Sequence, residues 1–308
     1  MKLSKNVIIG LVAVLLILII IVLFLSSRSK QSQPQDGTTP STESPSETME
    51  NTPKSGGLVE QIKKKLGGGS SQVTPTIAAE LLEQKGAVKY AGETITYGNG
   101  FKGYYSAPVK DGIFPGVVMI HEWWGLNDHM KTMADLLASH GYRVVAVDLY
   151  NGGVATTPDD ARSYVSSLDS AKAIENMRAA KAYLKSKGAV KVGSLGWCFG
   201  GSQSLQFALN EPLDATVLYY GTPVTDGVQL SKIKSPVLGI FGDKDEQIPV
   251  AKVNEFTAAL LSAGVVNEVK IYPGVGHAFA NPSGQNYAPE QTKDAWKKTL
   301  GFLTTHLR

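Results

Sequence analysis

The chain has 308 residues, 43% of them apolar and 19% charged, with 30 Lys and Arg against 27 Asp and Glu, a formal net charge of +3 and a single cysteine. One cysteine excludes an intrachain disulfide framework, and a nearly balanced charge excludes an extended nucleic-acid surface, which needs a basic excess. The positive excess lies entirely before residue 74, so the remainder of the chain is neutral.

Residues 7–25 form a run of 19 positions without a polar side chain. As a helix rising about 1.5 Å per residue, this run approaches the ~30 Å hydrocarbon core of a bilayer. A secretory signal has a shorter apolar region, about 7–15 residues, and a small-residue cleavage site. Phe24-Leu25-Ser26-Ser27-Arg28 is a poor site of that kind, and no lipobox cysteine exists. Residues 1–30 are therefore expected to be an uncleaved single-pass membrane anchor. Lys2 and Lys5 oppose Arg28 and Lys30; the short leader and the polar continuation favour the amino terminus inside and the remainder of the chain on the extracytoplasmic side.

Residues 26–57 contain no aromatic residue and no Val, Ile or Leu, but many Ser, Thr, Pro and Glu. Such a stretch cannot bury a core and reads as a disordered tether. Residues 58–66 place Leu58, Val59, Ile62 and Leu66 beside Lys63-Lys64-Lys65. That pattern suits an anionic membrane surface, docking on the domain, or a frayed turn in a linker. Gly67-Gly68-Gly69-Ser70-Ser71 closes the tether, assigned to residues 31–74, and leaves 75–308 as one domain of ordinary α/β size.

Within that domain, 93–97 and 103–107 read as an antiparallel entry pair and 117–120 as the first strand of a parallel series. A helix over 129–139 leads to a strand at 142–148, and a longer helix over 171–187 precedes a strand at 190–195. A helix over 201–209, strands at 215–220, 237–241 and 269–272, and helices over 251–263 and 293–306 complete the pattern. Repeated β-then-α units imply an α/β fold, a mostly parallel sheet with helices on both faces.

The chemistry centres on Gly196-Trp197-Cys198-Phe199-Gly200-Gly201. A strand turning sharply into a helix needs residues without a Cβ flanking the turn, and Gly196 and Gly200 stand two positions either side of Cys198. The turn lifts the sulfur over the sheet edge and aims the next helix's amino terminus at it, which favours a thiolate. Two further strands run into Asp243-Lys244-Asp245 and into Pro273-Gly274-Val275-Gly276-His277, so an acid and a histidine follow the nucleophile on loops at strand carboxyl ends. Nucleophile, acid and histidine in that chain order match the α/β-hydrolases.

Upstream, the strand ending at Ile120 enters His121-Glu122-Trp123-Trp124-Gly125-Leu126-Asn127. A zinc-binding H-E-x-x-H helix would need a second histidine where Gly125 stands, so no metal is expected. Glu122 lies on the loop where this architecture places its second oxyanion-hole N–H. The two tryptophans there read either as pocket lining or as packing beneath the loop.

These blocks, with Val147-Asp148-Leu149-Tyr150, resemble the dienelactone hydrolase family, the cysteine-nucleophile branch of the α/β-hydrolases, over about residues 92–308. The resemblance implies Cys198 as nucleophile, His277 as base and Asp245, rather than Asp243, as its orienter. It implies Glu122 as a carboxylate that contacts the resting thiol until substrate displaces it, and the backbone N–H groups of Phe199 and Trp123 as the oxyanion hole. An ionised carboxylate beside the sulfur would raise the thiol pKa and keep the resting enzyme quiet. Trp124, Tyr150, Arg162, Tyr164, Phe279 and Asn281 become candidates for the substrate pocket.

The family pattern breaks at Asn281, which stands four residues after His277 where relatives acting on dienelactone carry an arginine that holds the substrate carboxylate. The second such arginine falls near Arg162, close to Tyr164. A bidentate carboxylate clamp needs guanidinium geometry that an amide lacks. The expected protein is thus a membrane-tethered hydrolase of small-molecule esters or lactones, working through an acyl-thioenzyme, with no cofactor, no nucleic-acid partner and a monomeric catalytic domain. A thioesterase or peptidase on the same fold, and a non-catalytic binding module, are the alternatives.

Overall fold

The computed structural model describes residues 85–308. The anchor expected over 1–30, the tether over 31–74 with its apolar face at 58–66, and the first residues of the assigned domain lie outside the described residues. Among those described, no helix is long and apolar enough to cross a membrane.

β1 (Tyr90–Tyr97) and β2 (Phe101–Pro108) pair antiparallel, and β2 lies antiparallel to β4 (Arg143–Val147). From there β3 (Gly116–Ile120), β5 (Val192–Trp197), β6 (Ala215–Tyr219), β7 (Val237–Gly242) and β8 (Asn267–Tyr272) join in parallel, giving the order β1-β2-β4-β3-β5-β6-β7-β8. The intervening helices are α1 (Asp128–Ser139), α2 (Pro158–Ser166), α3 (Ser170–Ser186), α4 (Phe199–Asn210), the one-turn α5 (Gly227–Leu230), α6 (Val250–Ser262) and α7 (Pro289–Leu307).

The central strands are near-continuous apolar runs because helices cover both of their faces. Side chains alternate along each strand, so Val117 and Met119 of β3 join one core with Met130, Ala134 and Leu137 of α1 and Trp296 and Leu303 of α7. Val118 and Ile120 enter the opposite core with Met177, Ala180 and Leu184 of α3, Leu205 of α4 and Phe256 of α6. Both α1 and α3 begin at residues that satisfy free helix N–H groups: the Asn127 side chain accepts from Met130, and that of Asp169 from Ala171 and Lys172.

Two boundaries differ from the sequence expectation in a way that matters for the site. The strand expected at 190–195 occupies Val192–Trp197, because Val190 is 66% exposed whereas Trp197 is buried. The helix expected from 201 begins at Phe199, directly after Cys198. Helix α2 was not expected, since it spans only nine residues and Ala161 is its one buried residue. Its signal is instead a capping box: the Thr157 side chain accepts from Asp160 N–H while the Asp160 carboxylate accepts from Thr157 N–H. The parallel strands all end at the same edge, where the loops 121–127, 148–157, 243–249 and 273–288 gather.

Candidate active site

Cys198 links β5 to α4 with φ 53° and ψ −118°, a conformation few non-glycine residues adopt. The crossing of strand and helix enforces it. A Cβ on Gly196 would stand 2.1 Å from the Gly200 carbonyl oxygen, and one on Gly200 would stand 2.3 Å from that of Ile120. The Cys198 N–H is tied to the Tyr219 carbonyl at 3.0 Å, and its carbonyl accepts from Ser202 N–H at 3.1 Å. The sulfur is therefore presented, half-buried, at the amino terminus of α4. Phe199 is the first residue of that helix, so its N–H has no partner within the helix.

His277 reaches Cys198 from the loop after β8. Its Nε2 lies 3.1 Å from Sγ, and its Nδ1 lies 2.8 Å from Asp245 Oδ2. The other Asp245 oxygen accepts from the N–H groups of Gln247 and Ile248 at 2.9 and 3.0 Å, which fixes the buried carboxylate on the loop after β7. Asp243, the competing acid, accepts instead from Gly274 N–H and braces the two loops against each other. Burial alone would lower the His277 pKa. The hydrogen bonds to Asp245 and Cys198, and the negative charge on both, outweigh it and raise the imidazole to about 10.

Glu122, expected to contact the resting thiol, makes its hydrogen bond in this structure with Asn281. Glu122 is 5% exposed on the loop after β3, and its Oε2 accepts from the Asn281 side-chain N–H. With the sulfur engaged by His277, the buried carboxylate takes the amide within its reach. Burial raises the Glu122 pKa to about 7, partly offset by His277, by Asn281 and by the phenol of Tyr220. That phenol is buried and faces Glu122 without closing a hydrogen bond of ordinary geometry.

Tyr220 is a site residue the sequence reading missed. It follows β6 at φ 36°, with its ring 5.2 Å from that of His277. Its place in the chain, directly after the strand beside the nucleophile strand, is the signal that was available. His121 was also passed over as a supporting residue. Its Nδ1 lies 2.6 Å from the Glu122 carbonyl, and its Nε2 accepts from Leu149 N–H at 3.2 Å. Burial lowers its pKa to about 4, so the ring is neutral and locks the Glu122 loop to the Asp148–Tyr150 loop.

The pocket candidates separate into three groups. Tyr150 stacks on Tyr164 at 5.0 Å and lies edge-on to His121 at 4.7 Å, beside the nucleophile turn. Trp123 and Trp124 are half-buried, packed edge to face at 5.0 Å, and the Trp124 carbonyl anchors the next loop by accepting from Ala155 N–H. Within this turn it is Gly125 N–H that returns to the Glu122 carbonyl. Asn281 is buried against Glu122.

The other two candidates stand elsewhere. Phe279 is a fully buried core residue that backs the rings of Tyr220 and Tyr272, because the turn after His277 folds inward. Arg162 is exposed on α2 and pairs with Asp159 of its own helix, so it does not supply a guanidinium to the cluster. Residues 121–127 form a loop, and no group of three or more His, Cys, Asp or Glu among the described residues is placed to hold a metal.

The sequence model of the dienelactone hydrolase family matches residues 101–307. The chain is 36% identical over 225 residues to the protein named usf of Aquifex pyrophilus, covering 68% of this chain and 96% of that one. It is 33% identical over 227 residues to a candidate carboxymethylenebutenolidase of Aquifex aeolicus, with the same coverage of 68% and 96%. The crystal structure of a candidate dienelactone hydrolase from Klebsiella pneumoniae superposes with a TM-score of 0.65 at 26% identity, over 70% of this chain and 99% of that one. The chain belongs to the dienelactone hydrolase family, and with it to the ester and lactone hydrolases of the α/β-hydrolase fold.

Proposed function

We propose that the protein hydrolyses small-molecule esters or lactones through an acyl-thioenzyme formed on Cys198, with His277 and Asp245 completing the triad. The observation that carries this reading is the continuous hydrogen-bonded series from Sγ through the imidazole to a buried, doubly braced carboxylate. The Sγ–H proton passes to His277 Nε2 as the sulfur adds to the substrate carbonyl, its electron pair forming the new C–S bond while the C=O π pair moves onto oxygen. The N–H groups of Phe199 and Trp123 receive that oxyanion. Collapse expels the alkoxide, which takes the Nε2 proton of His277. The imidazole, now neutral, removes a proton from water as it attacks the thioester carbonyl; the second oxyanion collapses, the C–S bond breaks to release the acid, and the sulfur takes the proton back from Nε2. Asp245 holds the Nδ1 proton and hence the tautomer.

The intact series weighs against a non-catalytic module. The same acyl-thioenzyme serves thioesters and peptides, so the leaving group is set by the pocket. Asn281, with its amide committed to Glu122, and Arg162, turned outward, leave the site without the guanidinium clamp of a dienelactone-specific enzyme, which favours neutral esters. The apolar run 7–25 supports tethering to a membrane, with the Ser/Thr/Pro-rich stretch as a spacer and the catalytic domain outside the cytoplasm.

Turnover of an acyl ester panel by the purified protein, with and without prior iodoacetamide, tests the assignment. The expected result is stoichiometric labelling of the single cysteine with complete loss of turnover. A Cys198→Ala variant that retains full activity would overturn it.

A further inference from the structure

The hydroxyl of Tyr150 is buried and has no hydrogen-bond partner among the described residues, although an O–H left unpaired inside a protein carries the full cost of its lost hydration. Its neighbours hold the ring in place. Asp148 accepts the Tyr150 N–H at 3.0 Å, Tyr164 stacks behind the ring, and His121, immobilised by its own two hydrogen bonds, packs against its edge. A side chain so firmly placed with its polar tip unmet is built to receive something that is not part of the protein.

Its position narrows what that is. The ring centroid lies 5.6 Å from that of Phe199, whose N–H is one proposed oxyanion donor. On the other side, a Cβ on Gly125 would stand 3.3 Å from Tyr150 Cδ2, so the ring abuts the loop that carries the second donor, Trp123. The ring also borders an open groove of about 730 Å³ that includes Phe101, Lys102, Asn151, Tyr164 and Lys172. Burial, and then the nearby Cys198, push the phenol pKa well above its ordinary value, so the group remains an O–H donor at every pH of interest.

We propose that the Tyr150 hydroxyl is a third donor of the oxyanion hole, adding a side-chain O–H to the backbone N–H groups of Phe199 and Trp123. As sulfur adds to the carbonyl, the oxygen that gains the electron pair accepts the Tyr150 hydrogen bond; no proton moves, and the bond persists until the intermediate collapses. The proposal rests on Cys198 being the nucleophile. It gives the enzyme a donor whose strength grows with the charge on the oxygen, as transition-state stabilisation requires.

Tyr150→Phe deletes the hydroxyl alone and retains the ring packing. It is expected to lower kcat for ester hydrolysis on the order of 100-fold with KM changed less than about threefold. Iodoacetamide alkylation of Cys198, which forms no oxyanion, should proceed at the wild-type rate. An aldehyde inhibitor, whose hemithioacetal carries the oxyanion, should weaken by the same factor as kcat/KM. A kcat within threefold of wild type, or alkylation slowed in parallel with kcat, overturns the proposal, the latter making Tyr150 a positioning residue for the thiol. If alkylating the wild-type cysteine leaves turnover intact, it is the nucleophile assignment that has failed. Should Tyr150→Phe not fold, Tyr164→Leu, which removes only the stack behind the ring, is expected to lower kcat and aldehyde affinity together. Unchanged values of both would then overturn the proposal.

Discussion

Asn281 donates its side-chain N–H to Glu122 Oε2, a buried contact between the turn that follows His277 and the loop that follows β3. A neutral amide satisfies the carboxylate's geometry without cancelling its charge, so desolvation prevails and Glu122 titrates near neutrality, at about 7.

Stability should therefore fall with pH in a defined window. The Glu122 carboxyl has an ordinary value of 4.5 and a folded value of about 7, so between these pH values the folded state keeps a proton that the unfolded chain releases. The loss begins as pH rises past about 4.5 and is complete above about 7, reaching at most about 3 kcal/mol. Glu122→Gln removes it. The variant should unfold in urea at a higher midpoint than wild type at pH 8 and at nearly the same midpoint at pH 4.5. A constant difference across that range would show that Glu122 does not titrate there.

Asn281→Leu should have the opposite pH signature. Removing the donor costs a charge-assisted hydrogen bond, about 1.5–3 kcal/mol, only where Glu122 is ionised. The destabilisation measured by urea titration is expected to be larger at pH 8 than at pH 5.

Cys198→Ala should lower the pKa of His277. Two of the influences that raise the imidazole come from the sulfur, through its hydrogen bond and its negative charge. Following the imidazole ring resonances with pH, assigned by their loss in His277→Gln, should show the midpoint falling from about 10 while the Asp245 contact persists. An unmoved midpoint would mean that the sulfur carries no charge beside His277.

Gly200→Ala should be among the most damaging single methyl additions in the domain. The new Cβ would stand 2.3 and 2.4 Å from the carbonyl oxygens of Ile120 and His121, both of them main-chain atoms that cannot rotate away. Overpacking of this kind costs on the order of 1–3 kcal/mol or more. The elbow and the Glu122 loop should separate, so activity is expected to fall further than the thermal midpoint alone accounts for.

Neutral esters should compete with anionic lactones in kcat/KM. A missing charge-assisted clamp corresponds to about 1.5–3 kcal/mol, roughly ten- to a hundredfold for an anionic ligand. Asn281→Arg should favour carboxylated substrates selectively. Arg162→Ala should leave the preference unchanged, because Arg162 is paired with Asp159 on the exposed face of α2.

The sequence itself determined the series of parallel strands, the elbow and the chain order of its partners, because these depend on local matters. Apolar runs mark buried strands, Gly196 and Gly200 permit one particular crossing, and the carboxyl ends of parallel strands lie at one edge whatever their spacing in the chain. Which of two neighbouring acids meets His277 was not local. Asp245 prevails because Gln247 and Ile248 brace its carboxylate, while Asp243 is held by Gly274. Tertiary structure alone decided that Glu122 answers to Asn281, that Arg162 faces solvent, that Phe279 turns into the core, and that Tyr220 and Tyr150 bring buried hydroxyls to the site. Each of those outcomes is a competition among donors, acceptors and space between segments far apart in the chain, and a linear pattern carries no record of which partner arrives first within 3 Å.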